Sequence, residues 1–266
     1  MDGSTLTAYK EWFDRYCATF YSGDEEDHRN ILLKETHTRN VCADMATIFA
    51  EERGGGEHAA TAEAIALFHD VGRFEQYRRY RTFRDSDSEN HAFLSVRVLA
   101  EHGLLDGLPA KEQSVIRESV RLHNVFAIPA HLDPEILPFL KLIRDADKLD
   151  IWRVFIEHFD LPPEQRASAV TLGLPDTGGY TTELLRSLYG KRMILLSRLH
   201  TVDDFKLLQL SWIFDLNSRA ALHLLRERRY IRRLAATLPD DREVGDAVAM
   251  LEEHVDAMLQ TKGSSA

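Results

Sequence analysis

The chain has 266 residues, 44% hydrophobic and 29% charged, enough for one large folded unit or two small ones with a real core. A formal net charge of −10 argues against general affinity for nucleic-acid backbones or anionic membranes, both of which reward clustered positive charge. No apolar run reaches the roughly 18 residues of a membrane span, and Cys17 and Cys42 both fall in helical patterns, so a reduced, cytoplasmic protein is expected.

The first helix follows Ser4 as N-cap, with Leu6, Tyr9, Phe13, Tyr16, Cys17 and Phe20 at three- and four-residue steps. A second runs over 24–53 and closes at Gly54-Gly55-Gly56; a third covers 57–70 and stops at Gly72. Residues 73–85 have no clean period and read as a loop, after which Ser86-x-x-Glu89 looks like a capping box for a helix ending at Gly103. Further helices are expected over 110–124, 133–150, 151–159, 180–200, 203–214, 217–236 and 240–261, with the last residues, TKGSSA, unstructured. Strand signals are nearly absent, so the expected class is all-α. The turn-rich LGLPDTGGY, residues 172–180, divides a helical core over 1–170 from a C-terminal helical extension over 171–266.

Metal sites in helical folds need inward-facing ligands from several helices, because one helix rarely surrounds an ion. His37 falls on or beside the apolar face of Leu33, Val41, Met45 and Ile48, and the His69–Asp70 doublet follows Ile65, Leu67 and Phe68. His91 opens one helix, His123 ends the next in SVRLHNV, and Asp147 lies in FLKLIRDADKLDIW among Leu140, Ile143 and Trp152. Ionisable groups in such places must be paired or coordinated. The other histidines, among them His28, His102, His158 and His254, read as structural or surface residues.

The ordered set His37, then HDVG at 69–72, then RDADKLD at 144–150 resembles the HD superfamily of metal-dependent phosphohydrolases over roughly residues 30–155. The resemblance implies an HD-type helical core in which His37, His69, Asp70 and Asp147 bind one metal and Asp70 bridges to a second. His91 and His123 match the extra histidines of two-metal members. The chain lacks the Gly-Tyr-Pro motif of the cyclic-dinucleotide phosphodiesterases, and Asn124 follows the second histidine, which points away from that substrate. A His and carboxylate set suits one or two divalent ions of Mn, Fe, Co, Ni or Zn better than Ca²⁺.

Five arginines at 73–84 sit in an otherwise acidic chain, and guanidinium forks match phosphate oxygens. Arg73, Arg78, Arg81 and Arg144 are therefore the expected substrate contacts, with Asp70, Arg73 and Lys148 the expected catalytic groups. The plainer reading is a solvated loop pairing Arg78, Arg79 and Arg81 with Asp85, Asp87 and Glu89, beside aromatic residues that pack. The basic RERRYIRRL at 226–234 reads as a solvated face of an amphipathic helix, and Tyr180 as part of a linker.

The expected function is hydrolysis of a phosphomonoester or phosphodiester, on a nucleotide or other small phosphorylated metabolite, by a metal-activated water. Two other readings stand beside it: a mixed-valent diiron oxygenase built on the same six ligands, and a non-catalytic, metal-stabilised sensor or partner-binding module. The expected partner is a small phosphorylated substrate, with neither nucleic acid nor membrane, and homo-oligomerisation is left open.

Overall fold

Asp2, rather than Ser4, caps the first helix: its carboxylate accepts from the Thr5 amide at 2.9 Å, and Ser4 lies inside the first turn. A computed structural model describes residues 1–261; the rest of the expected unstructured tail, 262–266, lies outside the described residues. Twelve α-helices and short 3₁₀ turns make up the regular structure, with no strand among the described residues, so the fold is all-α.

The helices are α1 (Gly3–Ala18), α2 (Glu25–Arg53), α3 (Ala59–Phe68), α4 (Gly72–Tyr80), α5 (His91–Glu101), α6 (Ala110–Leu122) and α7 (Leu137–Asp160). They continue as α8 (Thr182–Tyr189), α9 (Val202–Ser211), α10 (Arg219–Glu227), α11 (Tyr230–Ala235) and α12 (Arg242–Thr261). Asp24 caps α2, and Gly54, at φ +72°, ends it in the left-handed conformation that a side chain resists. The α3 helix is buried along nearly its whole length and is flanked by α1, α2, α6 and α7. Elements after residue 171 join the same hydrophobic cluster, with α10 against α2 and α7.

Several elements depart from the sequence reading for physical reasons. Gly72 does not terminate α3, which ends at Phe68; it begins α4, where α4 and α5 meet. A Cβ there would lie 2.4 Å from the Ser95 nitrogen and 2.6 Å from the His91 oxygen, so only glycine permits this approach. Residues 73–80, expected as a loop, are helical. Two turns are too short for a period to show, and burial of Phe74 against Phe13, Tyr16 and Phe20 selects the conformation.

The α5 helix is capped by Asn90, which accepts from the Ala92 and Phe93 amides; Ser86 and Glu89 precede it on and beside a 3₁₀ turn at Asp85–Asp87. The helix α7 is one unbroken rod, since nothing between Asp150 and Ile151 interrupts it. The expected helix over 180–200 stops at Tyr189, where Gly190 and Lys191, at φ +50°, turn the chain. The one over 217–236 breaks at Arg229, at φ +55°, into α10 and α11.

Candidate metal centre

His37 comes from the middle of α2, His69 and Asp70 from the turn between α3 and α4, His91 from the first residue of α5, His123 from the C-cap of α6 and Asp147 from α7. The turn carrying the doublet is pinned: Ser95 Oγ accepts from the Gly72 amide at 2.9 Å and donates to the His69 carbonyl at 2.8 Å. All six side chains converge.

Two groups adjoin, His37–His69–Asp70 and Asp70–His91–His123, with candidate donor atoms inside each lying within 4.8 Å of one another. Asp147 joins the first group, its Oδ1 3.2 Å from His37 Nε2 and 3.7 Å from His69 Nε2. Asp70 belongs to both. Its Oδ2 faces His37 Nε2 at 3.6 Å and His69 Nε2 at 3.8 Å, while its Oδ1 faces His91 Nε2 at 3.4 Å and His123 Nε2 at 3.8 Å.

The outward ring nitrogens fix which way each lone pair points. Nδ1 of His69 meets the Ala66 carbonyl at 2.7 Å and Nδ1 of His123 meets the Val120 carbonyl at 2.8 Å; a carbonyl only accepts, so each Nδ1 carries the proton. Nδ1 of His37 likewise faces Asp150 at 2.7 Å, and Nδ1 of His91 faces Asp85 at 2.8 Å. In the neutral rings all four Nε2 atoms therefore present lone pairs to the interior.

There His37 and His69 approach to 3.3 Å, and His91 and His123 to 3.0 Å. Lone pairs at that separation repel unless a cation lies among them; the Arg73 guanidinium, its Nη2 3.3 Å from His91 Nε2, approaches the second pair. Asp70 Oδ1, buried and without a hydrogen-bond partner, adds an unsatisfied anionic oxygen to the same space. The donor set fits a divalent transition-metal ion, and the outer carboxylates and carbonyls are the partners that orient metal-binding imidazoles.

Protonation follows the same geometry. Burial, then His91 and His69, push His123 down to about 3, and burial with Arg73 lowers His91. Burial and Lys34 push His37 down, but contacts with Asp147 and Asp150 prevail and lift it to about 9, so without a metal His37 carries the proton that separates its Nε2 from that of His69, and a bound ion would take that proton's place. Burial disfavours the charged forms of Asp70 and Asp147, yet Lys34 and Arg73 hold Asp70, and His37 and His69 hold Asp147, well below the usual carboxylate range. Both carboxylates are anionic, as metal ligands must be.

Residues 35–152 match the family model of the HD domain. Residues 35–152 form an HD domain. No curated protein and no solved structure matches the chain.

Five of the six residues, His37, Asp70, His91, His123 and Asp147, line a cavity of about 390 Å³, within the range of small-molecule sites, while His69 lies buried behind them. Of the five arginines beside the doublet, Arg73 and Arg84 line it; Arg78 and Arg81 do not. Arg78 pairs with Glu75 and lies over the Phe20 ring, and Arg81 pairs with Asp27 and lies against Tyr77. Arg73 Nη1 is committed to the Phe83 carbonyl at 2.5 Å, Gln76 at 2.8 Å and Asp85 at 3.1 Å, while its buried Nε has no hydrogen-bond partner.

Arg144 and Lys148 also line the cavity. Arg144 donates to the carbonyls of His123 and Val125 and to Asp215, and Lys148 Nζ lies 2.8 Å from Asp215. Their charges are thus shared with one carboxylate. Tyr180 lies elsewhere, donating to Asp241, and the basic stretch at 226–234 pairs Arg228 with Asp44 and Arg232 with Glu252.

Three residues beside the six candidate ligands were not picked out from sequence. Lys34 Nζ is 2.8 Å from Asp70 Oδ2; it stands three residues before His37, so helical spacing could have placed it on the same face. Asp150 stands three residues after Asp147 and was legible in the same way. Asp85 lies in an irregular segment, locked there by Gln76, which donates to it at 2.9 Å, and no spacing rule points to it.

Proposed function

We propose that this HD-domain protein is a metal-dependent phosphohydrolase acting on a small phosphate monoester or diester. The observation that carries this reading is the unsatisfied, buried Asp70 Oδ1 between two pairs of inward-facing imidazole lone pairs, at the wall of a cavity lined by cations. A bound divalent ion would supply Lewis-acid charge for the phosphoryl oxygens and a water of lowered pKa.

The chain's own residues complete the arrangement. Asp150 and Asp85 hold the His37 and His91 rings with Nε2 directed inward. Lys34 and Arg73 flank Asp70 and leave the cavity wall positive where a phosphate oxygen would lie. Arg84, whose nearest carboxylate, Asp87, is 3.6 Å away, is the least committed guanidinium at that wall and the strongest choice for gripping substrate. Hydrolysis joins the water oxygen to phosphorus, breaks the ester P–O bond and leaves the water proton on the departing oxygen. The cations favour this chemistry over an oxygenase reading of the same ligands.

The test is purified protein loaded separately with Mn²⁺, Fe²⁺, Co²⁺ or Ni²⁺ and assayed with 4-nitrophenyl phosphate, bis(4-nitrophenyl) phosphate and a panel of phosphate esters. Phosphate or nitrophenol release that disappears in Asp70→Asn and His123→Ala is expected. Stoichiometric metal binding with no ester turned over, and oxygen consumption by the anaerobically loaded iron form, would overturn the proposal.

A further inference from the structure

Helix α7 presents one stripe to the cavity. Arg144, Asp147 and Lys148 form its polar end, and Ile151, Val154 and Phe155 follow Asp147 at four- and seven-to-eight-residue steps, all lining the same space. At 1.5 Å per residue the apolar part of this stripe starts about 6 Å from Asp147 along the axis and reaches about 12 Å. Phe205 of α9, its ring centroid 5.0 Å from that of Phe155, and Leu208, with Trp212 beyond, continue the apolar wall.

The division of chemistry is sharp. Among the described residues lining the cavity after Lys148, the one charged side chain is Asp215, which is already paired with Arg144 and Lys148. Phe126 and Leu196, 52% and 48% exposed, also line the cavity, so its opening is apolar as well. A hydroxyl-rich body, such as a sugar or a polyol, would lose its hydration in this half and find no partners there.

We infer that the preferred substrate is amphiphilic: a single phosphate ester whose alcohol portion is an alkyl or aryl body, seated between the apolar stripe of α7 and the walls supplied by α9 and the following turn. This rests on the phosphohydrolase reading and narrows its substrate class. The elements after residue 171 thereby have a role at the site, since they supply Leu196, Phe205, Leu208 and Trp212.

The experiment is calorimetric titration of Mn²⁺-loaded protein with inorganic phosphate, methylphosphonate and hexylphosphonate, none of which can be turned over. Affinity should rise by up to about fourfold for each methylene buried, a ceiling of about 1000-fold for the five methylenes that separate hexylphosphonate from methylphosphonate; about twofold for each, half that free energy, still gives hexylphosphonate roughly a 30-fold advantage. In Val154→Asp that advantage should collapse to about twofold while inorganic phosphate binds as before. Leu196→Asp, on an exposed turn, should reduce it in the same direction and carries the test if Val154→Asp does not fold. Equal affinity for the two phosphonates, with phosphate bound, overturns the apolar chamber and leaves the phosphohydrolase proposal standing. Failure of phosphate and both phosphonates to bind overturns both.

Discussion

Gly72→Ala would add one methyl group where α4 crosses α5, and the structure sets the cost. The new Cβ would lie 2.4 Å from the Ser95 nitrogen, 2.6 Å from the His91 oxygen and 2.6 Å from the Leu94 Cβ, about 1 Å inside ordinary contact. Two of these are backbone atoms, so no rotamer change relieves the clash. Gly72 does not have a left-handed φ, so the penalty is steric alone. Overpacking of this kind costs about 1–3 kcal/mol, equivalent to a fall of roughly 3–10 °C in melting temperature for a protein of this size.

The displacement falls on the first turn of α5, which carries His91 and Ser95, the residue that pins the doublet. Metal binding at the His91–His123 side should therefore weaken more than at the His37–His69–Asp147 side. The assays are thermal unfolding of metal-free protein and metal stoichiometry by calorimetry. Gly107→Ala, which meets nothing within 4 Å, is the control and should be neutral within about 0.5 kcal/mol. If Gly72→Ala unfolds with the wild type and binds metal unchanged, close helix approach is not the reason for glycine at this position.

Asp150→Ala removes the acceptor for His37 Nδ1 at 2.7 Å and should lower metal affinity about 10- to 100-fold, measured by competition with a chelator; an unchanged constant would refute an orienting role. Arg228 and Asp44 form a two-pronged, partly buried pair joining the end of α10 to α2, and a double-mutant cycle in urea should return a coupling of about 0.5–3 kcal/mol, whereas a value near zero would refute it. His158 is held down to about 4 by burial and then Arg166, against an ordinary 6.5. As pH falls through 6.5 the unfolded chain takes the proton first, so stability should drop until about pH 4, with no effect above 6.5. In chelator-treated protein, His158→Phe should lessen the loss between pH 7 and 5 by on the order of 1 kcal/mol; an identical pH slope in both proteins would count against that burial effect.

The parts of this molecule readable from sequence are those governed by local periodicity. His37, His69, Asp70, His91, His123 and Asp147 each stand beside apolar residues at helical spacing, and the structure brings all six to one place. Gly54 after α2 was legible because a left-handed cap has a strong residue preference. The short α4 was not, because its helicity comes from where Phe74 packs rather than from any repeat. Arg78 and Arg81 show the same limit: a run of arginines does not reveal which guanidinium faces inward when near and distant carboxylates, Glu75 and Asp27, compete for them. Asp85 reaches His91 from a loop whose path is set by Gln76 on another element.

The RDADKLD stretch of α7 points in several directions at once. Arg144 reaches the carbonyl of His123, Asp145 accepts the Asn217 and Ser218 amides before α10, Asp147 meets the histidines, Lys148 meets Asp215 and Asp150 holds His37. Each residue of an α-helix turns the next by about 100°, so deleting a single position between 144 and 150 would misalign these links on one side of the cut relative to the other. The stretch behaves like a key whose teeth are cut on several sides: side-chain exchanges damage one tooth, whereas a one-residue slip makes the whole key fail. A scanning library of single-residue deletions should accordingly show a sharp intolerance window here, and tolerance in the turn-rich segment at 172–180.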